Sequence, residues 1–448
     1  MASSRAAKRR AKTIIVRVSV AFLIAASFLL SGLLLFARRP AIACIARPLP
    51  ESFSAAYVAR GQALAAIGHC ASCHTGSDER PFAGGYALHT PFGIIYGSNI
   101  TPDPKTGIGL WSLQAFERAM REGVSRDGSH LFPAFPYYAY TKLANSDIAA
   151  LYSYLMTRPA VNNTPPANTL PFPLSVRAFQ EGWKILFFRS RQYRSDPSKS
   201  NEWNRGAYLA DGLADCSGCH TTRNFLGAEK RRDAYAGYEV DGWIAPALTA
   251  ANPSPIPWTE DDLCRYLRTG TSPLHGATAG TMTEVIRNSL ALPIVADSDV
   301  RDIATYISDI DHARARTGDI QADTRRALAT SYLGIGPERD RDADLYASAC
   351  ISCHYNAGPV PLPARPELSL NSALTLPEPT NFIQAVLKGV GDTEGAPGLV
   401  MPEYASSLSD SEIARLAAYL RRTRTKCPPW TDLENKVAAI RKASVKSR

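Results

Sequence analysis

The chain has 448 residues, 45% apolar and 20% charged, which gives room for about three domains of ~100–200 residues and describes a globular protein, not a disordered one. Its net charge of +9 is uneven: residues 1–39 hold eight Lys or Arg and no acid, residues 436–448 hold five and no acid, so everything between carries −4. The basic balance belongs to two ends, and the basic folded face that would bind nucleic acid is not there.

Taken in chain order, the first element is a segment of membrane-spanning character. Lys and Arg fill residues 5–12, and residues 14–36 are apolar apart from Arg17 and a few small polar residues. Eighteen or more apolar residues reach across a bilayer core of roughly 30 Å at about 1.5 Å per residue. A cleaved signal has a shorter apolar stretch and a small-residue cleavage site. Arg38, Arg39 and Pro40 follow here, so the expectation is an uncleaved anchor over 1–40; Ala41-Ile42-Ala43 before Cys44 leaves cleavage or lipidation as the alternative. Either way the basic end stays in the cytoplasm and the rest is exported, placing the body at the inner membrane on the periplasmic side.

Six of the nine cysteines stand in three Cys-x-x-Cys-His pentads: Cys70, Cys73 and His74; Cys216, Cys219 and His220; Cys350, Cys353 and His354. Residues three apart share a face of a helix, so two thiols can add to the vinyl groups of one haem while the next residue brings its imidazole to the iron. This is the pattern of c-type haem attachment. A thioredoxin-like pair needs no following His, and structural zinc asks four ligands per site, which nine Cys and eight His do not readily supply three times. The expected cofactors are three covalent haem c groups.

The pentads are 146 and 134 residues apart, and a repeat surrounds them. Ala59-Arg60-Gly61-Gln62-Ala63-Leu64 precedes the first, and Asn204-Arg205-Gly206-Ala207-Tyr208-Leu209 the second. Each unit closes on a helical pattern, Ser146-Asp147-Ile148 to Tyr154, Ser298-Asp299-Val300 to Tyr306 and Ser411-Glu412-Ile413 to Tyr419, with Ser or Asp placed as an N-cap. The expected fold is mainly α: three tandem cytochrome c-like domains at 50–160, 201–312 and 341–425 behind the N-terminal transmembrane helix. A Pro-rich linker at 161–200, a second linker at 313–340 and a basic tail at 426–448 complete the chain. The first linker carries an apolar run, Trp183 to Phe188, open to three readings: core helix, partner-docking surface or membrane-surface segment.

The second axial ligand is commonly Met. Met282 follows Gly270 by twelve residues, and Met401 follows Gly389 by twelve; these two are the expected iron ligands. Twelve after Gly123 stands Phe135, which has no lone pair. Met120 and His130 are alternatives for that first haem, Met120 aligning with the apolar Leu267; otherwise its sixth position is open. Cys264 reads as a small buried hydrophobe.

Pro81-Phe82-Ala83-Gly84-Gly85, Thr90-Pro91-Phe92-Gly93, Asn99-Ile100-Thr101-Pro102-Asp103 and Ala119-Met120-Arg121-Glu122-Gly123-Val124 resemble the three-haem cytochrome c subunit of bacterial membrane-bound dehydrogenases. That resemblance, continued in Leu131-Phe132-Pro133-Ala134, spans about residues 50–425. It implies an electron-transfer subunit that takes electrons from a dehydrogenase catalytic subunit of flavin, quinone or molybdenum type. It would pass them to ubiquinone or a downstream cytochrome or oxidase of the respiratory chain. The family's Met at the first haem is Phe135 here. No catalytic residues are expected in the chain itself, and a haem peroxidase or gas-binding sensor built on an open first haem is the alternative.

Overall fold

The computed structural model describes residues 39–311, 319–331, 340–356, 361, 366–391 and 401–446, with a few positions between 17 and 32. The described residues are mainly helical, with three two-stranded antiparallel hairpins. Among them no helix is long and apolar enough to cross a membrane; the run 14–36 expected to do so lies mostly outside the described residues. The chain divides into two compact units, residues 1–57 with 73–192, and residues 58–72 with 193–448. The second therefore holds both the second and third repeats.

Each repeat begins with a helix that feeds the pentad. In the first, α1 (Ala55–Ile67) is followed by the short α2 (Cys70–His74). The hairpin β1 (Ala87–Thr90) and β2 (Gly93–Tyr96) comes next, then α3 (Leu113–Glu122), α4 (Asn145–Met156) and, in the linker, α5 (Phe179–Phe187). The second repeat runs α6 (Asn201–Tyr208), α7 (Cys216–His220), β3 (Tyr238–Val240), β4 (Trp243–Ala245), α8 (Glu260–Thr269), β5 (Thr271–Ser272), β6 (Gly276–Ala277) and α9 (Asp297–Ile310). The third follows a helix in the second linker, α10 (Ile320–Thr330), with α11 (Arg341–Ala349), α12 (Ile351–His354), α13 (Thr380–Lys388) and α14 (Asp410–Arg424).

The sequence explains the local differences between repeats. From Gly61 to Cys70 is nine residues, and from Gly206 to Cys216 ten. The additional residue is absorbed by a π-helical turn, Leu209–Leu213, the one-residue insertion such turns accommodate. Gly206 itself is needed for a helix crossing: a Cβ there would lie 1.9 Å from the backbone oxygen of Asp302 on α9. α3 and α8 are both capped, by Ser112 accepting from Ala115 N and Thr259 accepting from Asp262 N. Both end on a glycine in the left-handed region, Gly123 at φ 61° and Gly270 at φ 75°.

The closing helices start earlier than their Ser and Asp residues suggest. Their caps are Ala144, Ala296 and Ser409, two residues ahead of Ser146, Ser298 and Ser411. The apolar spacing accounts for this. Leu143 with Ile148, Val295 with Val300, and Leu408 with Ile413 stand at the two positions of a hydrophobic staple, and all but Leu408 are fully buried. Ser409 alone caps with its side chain, in a capping box with Glu412.

The basic stretch 426–448 is not a loose tail. It forms α15 (Leu433–Lys446), which buries Val437 against the third repeat. Arg441 there donates to the Leu408 carbonyl at 2.8 Å and to Asp410 at 2.6 Å.

Candidate haem-attachment sites

The three pentads share one hydrogen bond. His74 Nδ1 donates to the carbonyl of Ser98 at 2.6 Å, His220 Nδ1 to that of Pro246 at 2.7 Å, and His354 Nδ1 to that of Pro366 at 3.0 Å. A proton fixed on Nδ1 leaves the lone pair on Nε2, the arrangement of a metal-ligating imidazole. Burial holds all three rings below their ordinary pKa, against a smaller opposing effect of the carbonyl bond. They are therefore neutral, and ring orientation and tautomer are both set before any metal arrives.

The hairpins deliver those carbonyls. Ser98 follows β2 and Pro246 follows β4. β3 and β4 join through Asp241-Gly242, at φ 50° and 75°, the two-residue turn in which both residues need positive φ. The backbone then closes over the pentad: Gly84 N donates to His74 O at 2.7 Å and Gly237 N to His220 O at 2.8 Å. At Gly97 a Cβ would meet Cys73 O at 1.8 Å, so only glycine fits. Beyond Ser98, the Asn99–Asp103 string is a buried polar knot. Asn99 accepts from Thr101 and donates to Val161 O at 2.7 Å, while Asp103 accepts from Thr106 N at 2.7 Å. The sequence marks that string without showing its task, which is to hold the Ser98 carbonyl in place.

The thiols fit thioether formation and not thiolate chemistry. Burial pushes Cys216 and Cys350 up to about 12 and raises Cys73. A reactive or metal-binding thiolate needs the opposite, whereas an uncharged thioether sits comfortably in such surroundings. Among the described residues no group of three or more His, Cys, Asp or Glu could hold a metal ion, and no disulfide joins any of the cysteines. The residues present thus suit haem c, with Cys70, Cys73, Cys216, Cys219, Cys350 and Cys353 as attachment points and His74, His220 and His354 as axial ligands. Cys264, expected to be buried, is half-buried.

On the opposite side, repeats 1 and 2 share a backbone path. Leu131 N donates to Gly123 O at 2.8 Å, and Thr278 N to Gly270 O at 2.8 Å. Four residues beyond each stand Phe135 and Met282. Phe135 packs its ring edge-on against Tyr140 at 5.3 Å; Met282 lies half-buried in a short helix, Thr281–Val285. The third repeat differs. Met401 itself exchanges backbone bonds with Val390, at 3.0 and 2.9 Å, and borders the same apolar cluster as Cys350 and Ile351.

The two substitutes for a first-repeat methionine are engaged elsewhere. Met120 is on the core face of α3 with Ala115, Phe116 and Ala119, all buried. His130 is buried, and its Nδ1 lies 3.0 Å from Lys184 Nζ and 3.4 Å from Glu181. Lys184 Nζ also donates to Glu122 O at 2.6 Å and Gly123 O at 2.8 Å, a cation on the C-terminal carbonyls of α3. The His130 ring thus lies between the Lys184 amine and the Glu181 carboxylate, engaged in the packing of α5 on α3.

Comparison with known proteins gives the family. A family model described as "Cytochrome c" matches residues 58–159, and one described as "Cytochrome C oxidase, cbb3-type, subunit III" matches residues 338–420. A subunit of the nicotinate dehydrogenase of Pseudomonas putida is 44% identical over 90% of this chain, which spans only 33% of that relative. The fructose dehydrogenase cytochrome subunit of Gluconobacter japonicus is 36% identical over 83% of the chain and 80% of its own length. The gluconate 2-dehydrogenase cytochrome c subunit of Pantoea cypripedii is 33% identical, with 86% and 90% covered.

Proposed function

The chain belongs to the cytochrome c subunits of membrane-bound dehydrogenases, and from that premise we propose that it is a three-haem relay held at the periplasmic face of the inner membrane. Three domains, 50–160, 201–312 and 341–425, each attach one haem through the paired cysteines and ligate it through His74, His220 or His354. Met282 and Met401 take the opposite positions in the second and third domains; the first has no methionine at Phe135. Haem c bound at these sites supplies reversible one-electron transfer at a potential tuned by its axial ligands.

The protein's own residues set the conditions. The Ser98, Pro246 and Pro366 carbonyls orient the imidazoles and raise their basicity, and the glycines at 84, 97 and 237 let the backbone pass close to the chain around the pentads. The single observation that carries this reading is the Nδ1–carbonyl bond made three times over by three pentad histidines.

The catalytic partner is a dehydrogenase subunit, and the electrons leave towards ubiquinone or a downstream oxidase. The 44% identity to the nicotinate dehydrogenase subunit favours a partner acting on nicotinate or a similar substrate. A pyridine haemochrome assay on the purified chain should return three haems per polypeptide, resistant to acid-acetone extraction; one or two would refute the reading. Cys216→Ala or Cys219→Ala should lower the count to two or block maturation.

A further inference from the structure

A helix that packs on a domain turns its apolar face inward. The linker helix α5 does so only in part, with Trp183 and its C-cap Phe188 edge-on against the buried Tyr137. Its buried side chains are Gln180, Glu181 and Lys184, while Ile185 and Leu186 are 47% and 67% exposed and Phe172, upstream of it, is 80% exposed. The inward polar face has its partners: Lys184 on the α3 carbonyls, and Glu181 with Arg39 at 2.7 Å and near His130. The outward apolar side chains, Ile185 and Leu186, belong to the run Trp183 to Phe188 that the sequence leaves open to three readings.

Two observations identify what covers it. The first is where the N-terminal apolar run ends. Arg39 stands three residues after Phe36 in sequence and is held on α5 by its ion pair with Glu181 at 2.7 Å. Residues 40–45 are then tied down on the same unit, Arg118 donating to Pro40 O at 2.7 Å, Ile42 N to Arg126 O at 2.8 Å and Ile45 N to Leu110 O at 3.1 Å. The second is charge. Between 172 and 192 the single acid is Glu181, buried and paired, while Arg189 and Arg191, next to the exposed Ile185 and Leu186, are exposed. Apolar side chains on one face with arginines flanking them describe a helix lying in a membrane interface.

We propose that Ile185, Leu186 and Phe172 sit in the headgroup–acyl boundary of the bilayer crossed by residues 14–36, with the flanking arginines on anionic lipid phosphates. The first haem domain is thereby held against the membrane at two points, the anchor and α5. This rests on the anchored reading of the N-terminus and adds a second contact that the anchor does not require.

The test uses the full-length haem-loaded chain in nanodiscs of 3:1 phosphatidylethanolamine to phosphatidylglycerol containing a photoactivatable phosphatidylethanolamine, with adducts mapped by mass spectrometry. Lipid adducts should be several-fold denser on peptides carrying 172 and 183–188 than on those carrying Leu113 or Tyr86, exposed apolar residues of the same unit. The double variant Ile185→Asn, Leu186→Asn should keep three haems and lose the α5 adducts. Nanodiscs without phosphatidylglycerol should weaken them. A chain that stays in carbonate-washed membranes yet shows no enrichment at α5 overturns the proposal while the anchor stands. Enrichment at α5 in a chain that carbonate extracts overturns the anchored reading and with it the two-point attachment, leaving α5 as the sole membrane contact. Crosslinking of α5 to a catalytic subunit in place of lipid, in membranes of the producing cell, overturns it in favour of protein docking.

Discussion

Repeats 1 and 2 follow one backbone plan on the side opposite the histidine and then diverge at one side chain. Both cap a helix with Ser or Thr, end it on a left-handed glycine, and return a backbone N–H to that glycine's carbonyl eight residues later. Four residues further the first places Phe135 and the second Met282. The scaffold that presents a ligand is therefore separable from the ligand itself. On the proposed ligation, retaining the scaffold while replacing the sulfur would leave a domain that folds alike and differs in redox chemistry.

The strongest way to break that difference is to exchange the side chains. Methionine sulfur favours ferrous iron, so a site without it should have the lower potential. Phe135→Met should raise the potential of one haem by on the order of 0.1 V, a part of the ~0.8 V range that axial ligands span. It should also abolish CO binding, which in the unaltered protein should saturate at about one third of the haem. Met282→Ala should do the opposite, and Met120→Ala should leave ligation unchanged. Redox titration with CO difference spectra reads all three. A methionine-to-iron charge-transfer band at full three-haem intensity in the unaltered chain would show that some other sulfur serves the first site.

A smaller effect tests the shared scaffold. A Cβ on Gly123 would lie 2.3 Å from the Tyr137 ring, at φ 61°. Gly123→Ala should cost roughly 2–3 kcal/mol, combining left-handed backbone strain with overpacking. A thermal melt followed at the haem Soret band measures this; an unchanged melting temperature would mean that Tyr137 moves aside freely.

How much of this is legible in the sequence follows from range. The pentads are readable because thiols and imidazole sit within five residues. The left-handed caps are readable as the glycines that fix the twelve-residue spacing. The carbonyl partners of the histidines are not, since Ser98, Pro246 and Pro366 lie 24, 26 and 12 residues away and a carbonyl carries no sequence signature. The β3–β4 hairpin does carry a local signal, Asp241-Gly242 between two short apolar runs. All three closing helices are capped two residues ahead of Ser146, Ser298 and Ser411, and in the first two the apolar staple pairs stand in place of a side-chain cap. α5 is visible as an apolar run, but which side faces inward is settled by Lys184 reaching the α3 C-terminus, a contact 61 residues away in sequence.

That contact supplies the smallest and most specific difference between the repeats. Lys184 is buried on the carbonyls that end α3, and burial pulls it down to about 8; Glu181 and Glu122 oppose the shift and Arg39 adds to it. The arginines two residues before each glycine make like bonds, Arg121 to the Leu143 carbonyl at 2.8 Å and Arg268 to the Leu290 carbonyl at 2.7 Å, and a guanidinium does not titrate in the accessible range, whereas the amine added by Lys184 to the first repeat does. In the unfolded chain Lys184 returns to its ordinary value of 10.5. Between pH 8 and 10.5 the unfolded state holds more protons, so the native state gains stability as pH rises across that window. Below pH 8 the full cost of burying the ammonium is carried. Tyr137, raised by burial, works the other way above its ordinary value, so the measurement belongs between pH 7 and 9.5. Over that interval the unaltered protein should gain about 1–2 kcal/mol relative to Lys184→Met, at ~1.4 kcal/mol per pH unit for one proton. The gain should appear in the transition reported by the first haem and not in that of the second. Parallel stability curves for the two proteins would mean that Lys184 stays protonated in the native state throughout, and that the α3 carbonyls are held by an ammonium that burial does not displace.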